Sequence, residues 1–350
     1  MTASSWLIYG ANGYTGELIA REAVRRGMNP ILAGRSAAAI TPLAEDLRLD
    51  HRVVALEDAR ALDAALAAAP VVLNCAGPFS RTARPVVEAC LRSRAHYLDI
   101  TGEVEVFEAC ASLDGDARAA GVTLLPGVGF DVVPSDCLAA HLKSRLPSAT
   151  HLALGFQIQS SVSRGTATTA IENIHRGGLV RRDGRLTRVP SGYKTRSIDF
   201  GRGPRSAVTI PWGDIATAYH STGIPNVEVY MAAPPDTQAM LKATRLMGGL
   251  LGTKPFQALL KAAIRRAPRG PSAAQRSTAR SLLWGEARDA ERTVVSRLDA
   301  PESYALTVQT AVAAVTKVLA GAARPGFLTP SLAFGADFIL EIDGVTRTDA

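Results

Sequence analysis

Trp6-Leu7-Ile8-Tyr9-Gly10-Ala11-Asn12-Gly13-Tyr14-Thr15-Gly16 runs from a short apolar strand through three evenly spaced glycines into an amphipathic helix beginning Glu17-Leu18-Ile19-Ala20. Strand, glycine-rich turn and helix in that order open a βαβ unit that cradles the pyrophosphate of a dinucleotide. Gly10 allows the tight turn, Gly13 lets backbone N–H groups approach the phosphates, and Gly16 lets helix and strand pack closely. The helix N-terminus attracts the negative charge. The helix closes at Gly27 and a second apolar strand, Pro30-Ile31-Leu32-Ala33, follows. All seven residues 10–16 are therefore expected to contact a cofactor.

The end of that second strand selects the cofactor. An Asp or Glu there binds the ribose hydroxyls of NAD, whereas an Arg accommodates the 2′-phosphate of NADP. This chain reads Gly34-Arg35-Ser36, and no carboxylate appears until Glu45. A guanidinium is a permanently charged, bidentate partner for phosphate, and the Ser36 hydroxyl adds a donor. NADP is the expected cofactor, with Gly34, Arg35 and Ser36 at its adenosine end.

Apolar strands alternate with Ala- and Leu-rich helical segments as far as residue 147. Strands are expected at residues 6–9, 30–33, 52–56, 71–74, 97–100 and 122–125, and helices at 59–69, 85–94, 104–120 and 135–146. Such alternation predicts a parallel sheet covered on both faces, with ligands outside the carboxyl ends of its strands. Three further strand ends carry polar or glycine-rich turns: Asn74-Cys75-Ala76-Gly77-Pro78-Phe79, Asp99-Ile100-Thr101-Gly102-Glu103, and Pro126-Gly127-Val128-Gly129-Phe130-Asp131. They are expected to open on the crevice of residues 10–16. Beyond residue 147 the texture is mixed, with strand-like pieces at 152–159, 227–231, 291–298 and 338–342. The expected fold class is α/β, an N-terminal Rossmann-type doubly wound parallel sheet plus a second α+β domain with a mixed sheet. The domains are expected at 1–147 for the dinucleotide, 148–302 for substrate and dimerisation, and 303–350 for a tail of helix and strand returning to the first.

Charge is unevenly spread along the 350 residues, whose net value is +7. Residues 181–205 hold eight basic and two acidic side chains, and residues 261–280 six basic and no acidic ones. These patches suit an anionic substrate, an anionic membrane surface, or solvent alone. Residues 238–266 add apolar positions Met240, Ala243, Met247, Leu250 and Leu251 at helical spacing, the pattern of a packed helix, an acyl lid or a lipid-facing surface. The patches lack interleaved aromatics, so nucleic acid is not an expected partner. With no charged leader, no apolar run of membrane-spanning length and no C-x-x-C pair among four cysteines, a cytoplasmic protein is expected. The six histidines form no H-E-x-x-H or i, i+4 pair, so no metal site is expected. None of the seven tyrosines is followed four residues on by Lys, which removes the Tyr-x-x-x-Lys acid of short-chain dehydrogenases. Cys137 sits in a helical segment with no His nearby, which disfavours a thioester-forming nucleophile.

Four motifs in order, residues 10–16, 74–79, 96–103 and 129–136, together resemble the saccharopine dehydrogenase-like NADP-binding oxidoreductases. That family includes true saccharopine dehydrogenases and trans-acting enoyl reductases of lipid biosynthesis. The resemblance implies hydride transfer to a C=N or conjugated C=C bond, with Asn74, Cys75, Ala76, Gly77, Pro78 and Phe79 joining the cofactor contacts. Asp131, Asp99 and Thr101 become the candidate catalytic residues, as proton relay or hydroxyl donor. Next to helix starts, such residues are equally expected as caps. In glutamate-forming saccharopine enzymes a Gly-x-Asp-Pro-Gly segment lies by the nicotinamide. Here Val132 and Val133 follow Asp131, a departure that argues against an amino-acid substrate. A small anionic or acyl substrate, peripheral membrane contact and a homodimer are the expected associations; the alternatives are an enoyl reductase acting on acyl chains and a non-catalytic NADP-binding or sensing protein.

Overall fold

The computed structural model describes residues 6–239, 241, 251 and 253–350, so Met240, Ala243, Met247 and Leu250 of the expected stripe lie outside the described residues. The chain divides into two compact units, Met1–Val133 with Leu306–Phe334, and Pro134–Ala305 with Gly335–Ala350.

In the first unit β1 (Leu7–Tyr9), β2 (Ile31–Gly34), β3 (His51–Val53), β4 (Val71–Asn74), β5 (His96–Asp99) and β6 (Thr123–Leu125) alternate with helices. These are α1 (Tyr14–Arg25), α2 (Ala37–Leu47), α3 (Ala59–Leu66), α4 (Phe79–Ser93), α5 (Val104–Ser112) and α6 (Asp114–Ala120). Every strand pair is parallel, in the order β6-β5-β4-β1-β2-β3. The order reverses beside β1, which makes the β1–β4 edge the switch point where such sheets take a dinucleotide. Leu7, Ile8, Leu32, Val72, Leu73, Leu98 and Leu124 are fully buried, as apolar strands under two helical layers must be.

The single helix expected over residues 104–120 breaks at Leu113 (φ −97°, ψ 10°), and Asp114 at the break accepts the Phe327 N–H at 2.9 Å. Phe327 belongs to a seventh parallel strand, Gly326–Phe327, which pairs with β6.

The second unit is a mixed sheet of β7 (His151–Ile158), β8 (Gly178–Arg182), β9 (Arg185–Val189), β10 (Thr195–Asp199), β11 (Pro204–Thr209), β12 (Asn226–Ala232), β13 (Arg280–Arg288) and β14 (Thr293–Pro301), closed by Thr346–Asp349. Its main order is β10-β11-β12-β7-β13-β14 and the last strand, with β8 and β9 off that path. The strand expected at 338–342 is instead one 3₁₀ turn, Phe338–Glu341. Phe338 and Ile339 are adjacent and both buried, which a strand's alternation does not allow when one face is covered. Among the described residues no helix is long and apolar enough to cross a membrane.

Candidate functional site

The carboxyl ends of β1, β2, β4, β5 and β6 share one edge of the first sheet, and each carries a turn singled out by the sequence. Gly10 has φ +79°, and a Cβ there would sit 2.7 Å from the Ala76 nitrogen. The turns after β1 and β4 therefore touch backbone to backbone, and only glycine fits. At Gly16 a Cβ would meet the Gly10 carbonyl oxygen at 2.5 Å, so this glycine seats α1 on the loop. Gly13 is the N-cap of α1 and offers no side chain to occupy the helix's positive end. Asn12, Gly13, Tyr14 and Thr15 are partly exposed, while Ala11 is buried. These positions form a cradle that fits a pyrophosphate.

Arg35 is exposed just beyond β2, and no hydrogen bond or ion pair engages it among the described residues. Ser36 is the N-cap of α2 without a side-chain capping bond, and the first turn of α2 has no acidic residue. Gly34 lies under Asn12, whose Oδ1 would be 3.1 Å from a Cβ at that position. The Tyr9 phenol, pushed up by burial, also feels the charges of Glu57 and Arg35.

The turn after β4 is tied internally. Asn74 Oδ1 accepts the Ala76 N–H at 3.0 Å, and its Nδ2 donates to Thr82 Oγ1 at 3.3 Å and the Tyr97 hydroxyl at 3.4 Å. Cys75 donates its backbone N–H to the Tyr9 carbonyl at 2.7 Å, and burial pushes its thiol up, out of reactive range. Pro78 and Phe79 begin α4, but the N-terminus of α4 is already capped: Glu103 accepts the N–H of Phe79 at 2.7 Å and of Ser80 at 2.9 Å.

The three catalytic candidates differ in what surrounds them. Asp99 is fully buried and accepts from the Tyr97 hydroxyl at 2.6 Å, the Thr101 N–H at 3.0 Å and the Gly127 N–H at 2.8 Å. Burial pushes it up to about 6, against these three bonds. Thr101, also fully buried, accepts the Glu103 N–H at 3.0 Å. Asp131 keeps part of its surface open, yet protein surrounds it closely enough that burial, helped by the negative charge of Glu103, pushes it up to about 7. Gly102 makes room for it, since a Cβ there would lie 2.9 Å from Asp131 Oδ2.

The sequence did not disclose what holds the Asp131 loop. Thr307 Oγ1 accepts the Phe130 N–H at 3.0 Å, and Thr310 Oγ1 donates to the Val128 carbonyl at 2.8 Å. Both threonines lie on the helix Ser303–Leu319, where a pair spaced i, i+3 carries no signal of a distant loop. Glu103 likewise serves two neighbours. Glu103→Gln is expected to weaken the α4 cap, costing about 1–2 kcal/mol in thermal or denaturant unfolding. It should also move the Asp131 titration down, because a negative neighbour is removed; NMR of the carboxyl resonance reads this.

Three of the eight cations in the basic segment 181–205 are ion-paired from elsewhere in the second unit. Arg196 pairs with Glu286, Lys194 with Glu228, and Arg202 with Asp299. Arg181 is buried, donating to the carbonyls of Ile215 and Gly184. In the segment 261–280, Lys261 pairs with Glu172 and Arg280 with Asp299.

Residues 6–125 match the family described as saccharopine dehydrogenase NADP binding domain. The chain is 29% identical over 161 residues to a human saccharopine dehydrogenase-like oxidoreductase, covering 40% of this chain and 37% of that protein. It is 30% identical over 218 residues to a trans-acting enoyl reductase of Mycobacterium ulcerans, covering 57% of this chain and 51% of that one. The matches thus span about a third to a half of those relatives. Among solved structures, apo saccharopine dehydrogenase (L-Glu forming) from Saccharomyces cerevisiae aligns over 99% of this chain and 100% of its own with TM-score 0.68, at 14% identity, a likeness of fold alone. Residues 6–125 thus match the saccharopine dehydrogenase NADP-binding domain, and the sequence likeness of the chain is to the saccharopine dehydrogenase-like oxidoreductases and the trans-acting enoyl reductases.

Proposed function

We propose that this chain is an NADPH-dependent oxidoreductase that delivers hydride to a C=N or conjugated C=C bond of a small molecule, as a cytoplasmic homodimer. The observation that carries this reading is the gathering, on one edge of the first sheet, of a glycine cradle at a helix N-terminus, an unengaged Arg35 and an Asp131 poised near neutral pH. Bound NADPH supplies the hydride. The chain supplies the rest. Residues 10–16 and the N-terminus of α1 hold the pyrophosphate, and Arg35 with Ser36 holds the 2′-phosphate. The backbone of residues 74–78 lines the cradle opposite Gly10.

Asp131 carries the proton that the reduced acceptor needs. A carboxyl group titrating at about 7 is half protonated at neutral pH, the condition under which acid catalysis is most effective. Asp99 and Thr101 act as positioning residues. Their oxygen atoms are buried and bonded to the turn, so they hold the edge in shape and touch no substrate. The trans-acting enoyl reductase relatives favour a second reading within the same chemistry, reduction of a conjugated C=C in an acyl chain.

Purified protein titrated with NADPH, followed by cofactor fluorescence, is expected to bind it in preference to NADH. A panel of cyclic imines, enoyl thioesters and saccharopine with NADP then tests turnover by absorbance at the nicotinamide band. Oxidation of NADPH by an enoyl thioester supports the acyl reading, and by an imine the C=N reading. Tight NADPH binding without turnover of any acceptor overturns the enzyme in favour of a binding or sensing protein.

A further inference from the structure

The second unit contains a trough produced by strand register. His151 of β7 lies between Asn226 of β12 and Arg288 of β13; Ala153 lies between Glu228 and Glu286; Gly155 lies between Tyr230 and Trp284. These three rungs are two residues apart, so they share one face of the sheet. Along that face the middle strand presents a methyl group and a bare backbone where its neighbours project long side chains. Over Gly155 the gap is filled, for Ile198 and Phe200 come within 3.3 Å of where its Cβ would be. Over Ala153 it stays open. Ala153 remains partly exposed in the central strand, and a cavity of about 440 Å³ lies above it, a size that accepts a small metabolite.

The walls of this cavity are charged but balanced. Lys194 Nζ reaches Glu228 at 2.5 Å, and the Arg196 guanidinium grips both oxygens of Glu286 at 2.9 and 2.5 Å. An acyl chain would desolvate these ion pairs without replacing their bonds with water. The mouth is different. The Arg288 guanidinium has no hydrogen bond or ion pair among the described residues, its backbone carbonyl accepting from Thr150, and Arg182 donates to the Tyr193 hydroxyl without an ion-paired carboxylate. Asp183 offsets one of these two charges, leaving the mouth cationic. A guanidinium fork matches phosphate or carboxylate oxygens in pairs.

We infer that this trough is a binding site for a small metabolite bearing a phosphate or two carboxylates, with Arg288 and Arg182 taking the anionic group at the mouth and Ala153 leaving room for its body. The site is built within the second unit alone and does not rest on the cofactor reading. His151 reports on it. Burial and the adjacent Arg288 hold its imidazole below the ordinary value, Lys194 adding to this while Glu228 and Asp183 oppose it. A bound anion raises that titration.

The test is calorimetric titration of the full chain at low salt with inorganic phosphate and, separately, with succinate, alongside NMR of the His151 ring. The expected result is that at least one probe binds with Kd below about 10 mM and moves the His151 midpoint upward. Arg288→Ala should weaken binding at least about tenfold, and Ala153→Leu, which fills the trough, should abolish it. Both variants should keep the wild-type circular dichroism spectrum and unfolding transition as the sign of an intact fold. Binding of phosphate alone identifies a phosphate ester and of succinate alone a dicarboxylate. The inference is overturned if neither probe binds the wild-type chain, or if both variants bind as the wild type does.

Discussion

Replacing Asp131 with Asn is expected to lower kcat by about 10²- to 10⁴-fold while leaving NADPH affinity within about threefold, the signature of a lost proton donor. The wild-type rate should be level below pH 7 and fall tenfold per unit above it, because the proposed role needs the protonated carboxyl, which titrates at about 7. The residual rate of Asp131→Asn should show no such break. Full activity in that variant, or an unchanged break, would remove Asp131 from the chemistry. Stability carries the same sign. Its folded value lies above the ordinary carboxyl value of 3.8, so its contribution is fully present below pH 4 and is lost as pH rises through 7. The loss is on the order of 2 kcal/mol once solvent at its open side is allowed for. Asp131→Asn should therefore gain on the wild type between pH 4 and pH 8 in denaturant unfolding.

Arg35→Ala should raise the Kd for NADPH by about tenfold to a hundredfold and leave that for NADH unchanged. Two charge-assisted bonds to a 2′-phosphate contribute about 1.5–3 kcal/mol, and that phosphate is what distinguishes the two cofactors. High salt should erode the NADPH preference of the wild type, since the exposed guanidinium is screened. Fluorescence titration of both cofactors at two ionic strengths decides the matter. Equal losses for NADPH and NADH would sink the assignment of Arg35 to the phosphate and mark it as a solvated loop charge.

Much of the first sheet was legible because its signals are local. Residues 6–16 contain a strand, a turn needing φ > 0 and a helix start within eleven positions. The place of Arg35, exposed just beyond β2, was legible for the same reason, being fixed by its distance from a strand end. The carboxylates were only half legible. Sequence places Asp99, Glu103 and Asp131 beside strand ends, but not what each one binds: Asp99 is held by three donors and Glu103 by two backbone N–H groups. Strand β13 escaped notice because Ser281-Leu282-Leu283-Trp284-Gly285 does not alternate. Leu282 and Trp284 join one apolar cluster, and on the opposite face a Cβ at Gly285 would strike Leu142 at 2.6 Å. The trough was illegible altogether, since it depends on which residues of three strands stand side by side.

The strand Gly326–Phe327 beside β6 has a consequence for the living chain. About two hundred residues separate it from its partner, and the threonines that fix the Asp131 loop, Thr307 and Thr310, come from the same late segment. As the chain leaves a ribosome, the glycine cradle can close early, yet the Asp131 loop stays unanchored until the whole intervening unit has been made. On the proposed function, NADPH binding should therefore emerge at a shorter length of the growing polypeptide than turnover.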